Sequence, residues 1–216
     1  MALETLDINI NYIDITKELI EKATPNSHKV LDSYFYISKD KIYIVDGSKN
    51  VVLDYSLKEL EVANWIENTF GGEIYMKPRV NSPNNIKTAD YWWNGEYWDL
   101  KELKDSKSLM RAIDNAIKNC EKQSHNFIID ITDCKIPIHY IIKQTENIFK
   151  DGVCRRIWIN KIIIKKDNIL IKAYKKRWPQ PQRARTISSM NNITIKYGSC
   201  QDFKVYKRGI IIPLLN

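Results

Sequence analysis

The residues able to do chemistry crowd into one stretch, Thr88 to Leu103, which reads TADYWWNGEYWDLKEL. Asn94-Gly95 between aromatic flanks is the signature of a two-residue type I′ hairpin turn. That turn sets a register: Trp93 opposite Glu96, Trp92 opposite Tyr97, Tyr91 opposite Trp98, and Asp90 opposite Asp99. Two carboxylates are therefore expected across the ladder, with Cβ atoms about 4.5–5.5 Å apart. Period-two alternation places Lys101 on their face. Like charges directly opposed destabilise a sheet, so something must offset them. A divalent cation does so, with Mg²⁺ (or Mn²⁺) suited to an all-oxygen donor set. A proton shared by the pair also does so, as does Lys101 or Lys104 at a solvated hairpin end. The pattern (D/E)-x-K alone is weak, since it starts at Asp99, Glu102, Asp105, Asp133 and Asp202. The Asp99 copy is set apart by Asp90 at hairpin-fixed register.

Other chemistries find less support. His28, His125 and His139 are far apart in sequence, whereas metal-independent RNA cleavage calls for a paired acid and base. There is no Gly-rich phosphate loop and no GxSxG, which argues against P-loop nucleotide hydrolysis and serine-based hydrolysis. Tyr91, Trp92, Trp93, Tyr97 and Trp98 could stack bases, but alternate residues of a covered hairpin must pack the core, so about half are expected inside. Asp130, at the end of NFIID, is read as capping a loop.

The elements that must hold the hairpin are legible around it. Residues 1–30 read as an apolar-alternating start (Ile8, Ile10, Tyr12), then a helix capped by Thr16 with Leu19 and Ile20 inward, broken at Pro25-Asn26-Ser27. SYFYIS, KIYIVD and NVVLDY read as strands with turns at Lys39-Asp40 and Asp46-Gly47. Ser56 to Glu59 is a capping box opening a helix to Phe70, with Leu57, Leu60, Ala63, Ile66 and Phe70 as its apolar stripe and Gly71-Gly72 as its stop. A strand in GEIYMKPRV, the hairpin, a helix over about 106–123, a strand over 126–131, a helix over about 137–150 and two strands around Asp167-Asn168 complete an α/β core. This order predicts a mixed central sheet flanked by helices. Three parts are expected: a small N-terminal α/β subregion (1–55), a core (56–176), and a basic C-terminal extension (177–216). SSMNNITIKYGS and FKVYKRGIIIPL read as closing strands or as a partly ordered tail.

Charge divides the chain. Net charge is +8 over 216 residues, but Arg155 to Arg208 holds fifteen Lys/Arg against Asp167 and Asp202, a net +13, on a remainder at −5. That asymmetry points to a polyanion partner, and the phosphate-contacting candidates are Arg155, Arg156, Lys175, Lys176, Arg177, Arg183 and Arg185. The composition, 44% hydrophobic and 28% charged, excludes collagen-like and largely disordered classes. No apolar run is long enough to span a membrane and no signal peptide is read at the start. Four scattered cysteines (Cys120, Cys134, Cys154, Cys200) without a CxxC pair fit reduced thiols in a cytosolic chain better than a zinc site.

Asp90, eight intervening residues, and Asp99-Leu100-Lys101 resemble the PD-(D/E)xK nuclease signature, with Ala89 where that motif often carries proline. GGEIYMKPRV, IKTADYWWNGEYWDLKEL and EKQSHNFIIDI together resemble the C-terminal tRNase domain of contact-dependent inhibition (CdiA-type) toxins and its phage and mobile-element relatives, over roughly residues 57–175. The resemblance implies a restriction-endonuclease-like fold and metal-dependent phosphodiester cleavage, in RNA and tRNA foremost, within the bacterial cytosol. It implies that Asp90, Asp99 and the Leu100 carbonyl hold Mg²⁺, and that Lys101 orients or activates water or stabilises phosphorane charge. An acidic residue of the preceding helix completes such sites. Glu61 is the first choice and Glu59, whose carboxylate the capping box already engages, the second. Gln123 matches a polar helix position lining them. A neutralising immunity protein is the implied partner. A DNA endonuclease with the same site, and a non-catalytic nucleic-acid-binding or phage structural protein, are the competing readings.

Overall fold

Near-continuous apolar runs in three segments set the sheet. In NFIID, KIIIKK and ILIKAYKK, odd and even positions are both apolar, so both faces of these strands must be covered. The computed structural model describes residues 11–104, 111–150, 156 and 158–177. In chain order these form β1 (Tyr12–Asp14), α1 (Thr16–Glu21), β2 (Val30–Asp32), β3 (Phe35–Ser38), β4 (Lys41–Ile44), β5 (Val51–Val52) and α2 (Leu57–Thr69). There follow β6 (Ile74–Met76), β7 (Arg79–Val80), β8 (Tyr91–Trp93), β9 (Glu96–Glu102), α3 (Ala112–Ile117), β10 (Asn126–Asp130), α4 (Ile138–Phe149), β11 (Lys161–Lys166) and β12 (Ile169–Lys176).

Eight strands form one mixed sheet in the order β1-β12-β11-β10-β9-β8-β6-β2. β10 runs parallel to both β9 and β11, while β8–β9 and β11–β12 are antiparallel hairpins. Alternation sorts the core into two layers. Phe127, Ile129, Ile162, Ile164 and Tyr174 pack with α3 and α4. Ile128, Ile163, Ala173, Trp98 and Leu100 pack with Val62, Ala63, Trp65 and Ile66 of α2. The expected mixed sheet flanked by helices is the observed architecture.

Several local expectations are corrected. The N-terminal subregion does not stand apart: β1 pairs with β12 and β2 pairs with β6, so residues before 55 supply two strands of the main sheet. The compact unit runs through Arg177. Thr16 does not cap α1. Its hydroxyl donates to Asp14 Oδ1 and accepts from the Ala173 amide, tying β1 to β12. Leu19 packs against the core, but Ile20 is 58% exposed.

In α2 the capping box forms as expected, but Leu57 is 88% exposed, because Val62 and Trp65 shift the buried stripe. Gly71 stops the helix at φ +71, where a Cβ would stand 1.9 Å from the Thr24 carbonyl oxygen. The helix expected over 106–123 is described only as α3, followed by a turn through Gln123. The two expected closing strands lie outside the described residues. Cys120 and Cys134 are free and buried, and Cys154 and Cys200 lie outside the described residues.

Candidate functional site

The hairpin forms in the expected register: Tyr91↔Trp98, Trp92↔Tyr97, Trp93↔Glu96. Asn94 and Gly95 have φ of 47° and 84°, both left-handed, as a type I′ turn requires. Tyr91, Trp93 and Trp98 are buried, while Trp92 and Tyr97 are half-buried, so three of the five aromatics serve the core.

The ladder stops one pair short of the aspartates, which corrects the expectation of direct opposition. The Asp90 amide donates to the Trp98 carbonyl at 3.1 Å, and the Asp90 carbonyl accepts from the Lys77 amide at 2.9 Å. Asp90 Oδ2 accepts from the Leu100 amide at 2.7 Å. The side chain has taken over a backbone partner, as short polar side chains do beside strand ends. Its carboxyl group is nevertheless brought beside Asp99. Asp99 and Lys101 share the sheet face of Phe127 and Ile129, their direct neighbours in β10.

Asp90, Asp99, Leu100, Lys101 and Gln123 line one cleft of about 340 Å³, together with Glu59, Arg79, Lys87 and Thr88. Asp99 is 1% exposed and forms an ion pair with the Lys101 ammonium. The Lys101 ammonium touches Oδ2, and Oδ1 has no donor among the described residues. Burial pushes the Asp90 carboxyl well above the usual carboxylate range, and the charge of Asp99 adds to the rise against the Leu100 amide. Burial also raises Asp99, with Lys101 opposing it. Lys101 is raised: burial alone would lower it, and the Asp99 carboxylate outweighs that. The Gln123 amide reaches the Thr88 carbonyl at 3.5 Å, so its place at the cleft is a turn after α3, not a helix end.

The acidic residue of α2 at this cleft is Glu59, which corrects the first choice of Glu61. Glu61 is more than half exposed and pairs with Lys58 at 3.0 Å. Glu59 accepts from the Ser56 amide at 2.6 Å and from Arg79 Nη2 at 2.9 and 3.1 Å. The capping box is the reason: it folds the carboxylate back toward the helix start, which the Tyr91 hydroxyl pins by donating to the Glu59 carbonyl at 2.9 Å. Among the described residues no group of three or more His, Cys, Asp or Glu stands close enough to hold one metal ion. The immediate carboxylates are thus two, Asp90 and Asp99. None of the three histidines lines the cleft.

Asp130 lies in a second buried ionic cluster, on the opposite sheet face with Ile128. Its Oδ2 accepts from Lys165 at 2.8 Å and pairs with Lys58 at 3.0 Å, and its Oδ1 accepts from the Thr132 amide and hydroxyl. The loop cap is real, and the two lysines add to it.

The phosphate-contacting candidates fare unevenly. Arg156 is held by Asp114 at 2.8 Å and by the Lys118 carbonyl at the end of α3, which is a structural task. Lys175 and Arg177 are exposed and Lys176 is half-buried at the β1–β12 seam. Arg155, Arg183 and Arg185 lie outside the described residues. Sequence reasoning missed Arg79 and Lys87 at the cleft; their signal is the acid-free run from Lys77 to Thr88 immediately before Asp90.

Residues 87–170 match the family described as the contact-dependent growth inhibition CdiA C-terminal domain. The matched segment carries Asp90, Asp99, Lys101 and Gln123 and leaves out α2 with Glu59. Among solved structures, the chain is similar to the CdiA-CT/CdiI toxin and immunity complex from Burkholderia pseudomallei, with 18% identity and a TM-score of 0.42 over 67% of this chain and 98% of that one. No curated protein matches. Among the described residues no helix is long and apolar enough to cross a membrane.

Proposed function

We propose that this cleft is the active site of a metal-dependent nuclease that cleaves phosphodiester bonds in RNA, tRNA foremost, as a toxin or mobile-element effector acting in the bacterial cytosol. The observation that carries the reading is the pair itself: Asp99, buried, with the Asp90 carboxyl group beside it and Lys101 as its one cation. Folding alone gives no reason to bury two carboxylates against one cation. The donor set fits Mg²⁺ or Mn²⁺: oxygen only, with two carboxylates, Asp90 and Asp99, and the Leu100 carbonyl, such ions keeping several waters. The bound ion would supply Lewis-acid polarisation of the phosphodiester and acidify water.

The chain's own residues do the rest. Lys101, paired to Asp99, sets a fixed positive charge beside the reacting group, to orient water or to meet the charge that builds on phosphorus-bound oxygens. Glu59, fixed by Ser56 and Arg79, takes the place of the α2 acid, and the Gln123 amide steadies the segment leading into Asp90. The family match over 87–170 supports the toxin reading, and a cognate immunity protein is the partner that goes with it.

The test is incubation of purified protein with total RNA and with plasmid, with and without Mg²⁺. Discrete RNA products that require the metal are expected. Asp99→Asn is expected to abolish cleavage and the metal-induced rise in Tm. Lys101→Ala is expected to keep the Tm rise and lose turnover. No metal-dependent cleavage of either nucleic acid, with no thermal shift on adding Mg²⁺ or Mn²⁺, would sink the reading.

A further inference from the structure

We infer that Lys87 is a substrate-contact residue that takes a backbone phosphate of the nucleic acid at the mouth of the cleft, an inference that rests on the nuclease reading above. Three cations line the cleft, and two are committed. Lys101 pairs with Asp99, and Arg79 spends its Nη2 on both oxygens of Glu59. Lys87 is exposed and has no carboxylate partner among the described residues.

Its backbone is fixed on both sides. Ile86 packs against the cluster of Tyr36, Val51 and Val80. The Thr88 carbonyl accepts from Gln123, and the Ala89 amide donates to the Tyr36 hydroxyl at 3.2 Å. Upstream, the amides of Asn81 and Ser82 both donate to the Asn50 carbonyl. A lysine held at its Cα but free at its ammonium is preorganised for an anion, since little backbone order is lost on binding.

The electrostatics ask for such a group. A phosphodiester approaching Glu59, Asp90 and Asp99 meets three carboxylates, and only an uncommitted cation at the rim can receive the neighbouring phosphate. A lysine ammonium does this as a compact point charge without the planar geometry that arginine imposes. Lys77, the other lysine of the acid-free run, cannot serve. It is buried, donates to the Ser33 hydroxyl at 2.7 Å, and stands 4.5 Å over the Phe35 ring.

The experiment measures anisotropy of labelled single-stranded RNA and DNA oligonucleotides with the full chain in EDTA across a salt series, then cleavage kinetics in Mg²⁺. Lys87→Met is expected to weaken RNA binding several-fold and to make the log–log salt slope shallower by about 0.7, the value for one phosphate contact on a single strand. Lys87→Arg should restore the slope. In turnover, KM should rise with kcat held. Lys17→Met, the same charge change on α1 beside β12, should leave slope and KM alone. If wild type binds and cleaves while Lys87→Met keeps its affinity and slope, the inference is overturned and the nuclease reading stands. If wild type neither binds nor cleaves any of these nucleic acids, both fall.

Discussion

Adjacent parallel strands each carry a buried aspartate, and the two are treated in opposite ways. Asp130 of β10 has every oxygen engaged, by Lys165, Lys58 and both donors of Thr132. Burial alone would raise its carboxyl group, yet these partners hold it below the usual range. Asp99 of β9 has one cation, at Oδ2, and no described donor at Oδ1, and burial lifts it above that range. One ionic cluster is complete and locks α2 to the sheet. The other is incomplete and faces a cleft. A buried charge that the fold satisfies belongs to stability, whereas one that the fold leaves short marks where something else must bind.

The same substitution should therefore have opposite signs at the two sites. Asp130→Asn leaves Lys165, which has no exposed surface, without its counter-charge, and should cost about 3–5 kcal/mol, read as a lower urea midpoint. A loss under 1 kcal/mol would dissolve the contrast.

The contrast also runs along α2, with a smaller effect. Glu59→Ala removes the capping box and the Arg79 pair, and should cost about 1 kcal/mol and reduce cleavage. Glu61→Ala should stay within about 0.5 kcal/mol and leave cleavage intact. Equal effects on cleavage would return Glu61 to the site.

The smallest effect is the most diagnostic. Without metal, Asp99→Asn should raise the urea midpoint slightly, because a neutral amide escapes the burial that disfavours the Asp99 carboxylate, while the partly exposed Lys101 can turn to water. The sign follows from linkage. Asp90 and Asp99 ionise less readily folded than unfolded, so they favour the fold at low pH and their contribution is lost as pH rises through their raised folded values. Asp130 does the reverse. Its contribution is present above the ordinary value near 3.8 and lost as pH falls through its lowered folded value. Urea midpoints across pH for wild type and Asp99→Asn should differ most on the alkaline side; parallel curves would contradict the raised pair.

Much of this was legible in the sequence because it rests on local rules. Asn94-Gly95 fixed the register of three hairpin pairs, two of them aromatic on both strands, and Ser56-Leu57-Lys58-Glu59 fixed the start of α2. What was not legible was competition between side chain and backbone. Extending the ladder one pair further put Asp90 opposite Asp99, but the Asp90 carboxylate captures the Leu100 amide and the chain turns away. In the sequence the capping box argues against Glu59, yet the box is what aims it at the cleft. The Lys165–Asp130 pair joins strands 35 residues apart and has no local signature.

The outermost strand carries a consequence for how the chain reaches this state. Tyr12 lies against Lys176, so the sheet's β1 edge closes only when segments 164 positions apart meet. Loop closure over such a span is entropically slow to begin. During synthesis or refolding, β1 must wait for the far end of the chain, and β12 must stand for a time as a bare edge. An unpaired strand of that kind recruits other chains. β12 carries Lys172, Lys175 and Lys176, the residue type that most effectively discourages edge-to-edge pairing. Part of the positive charge of β12 is thereby a safeguard against aggregation.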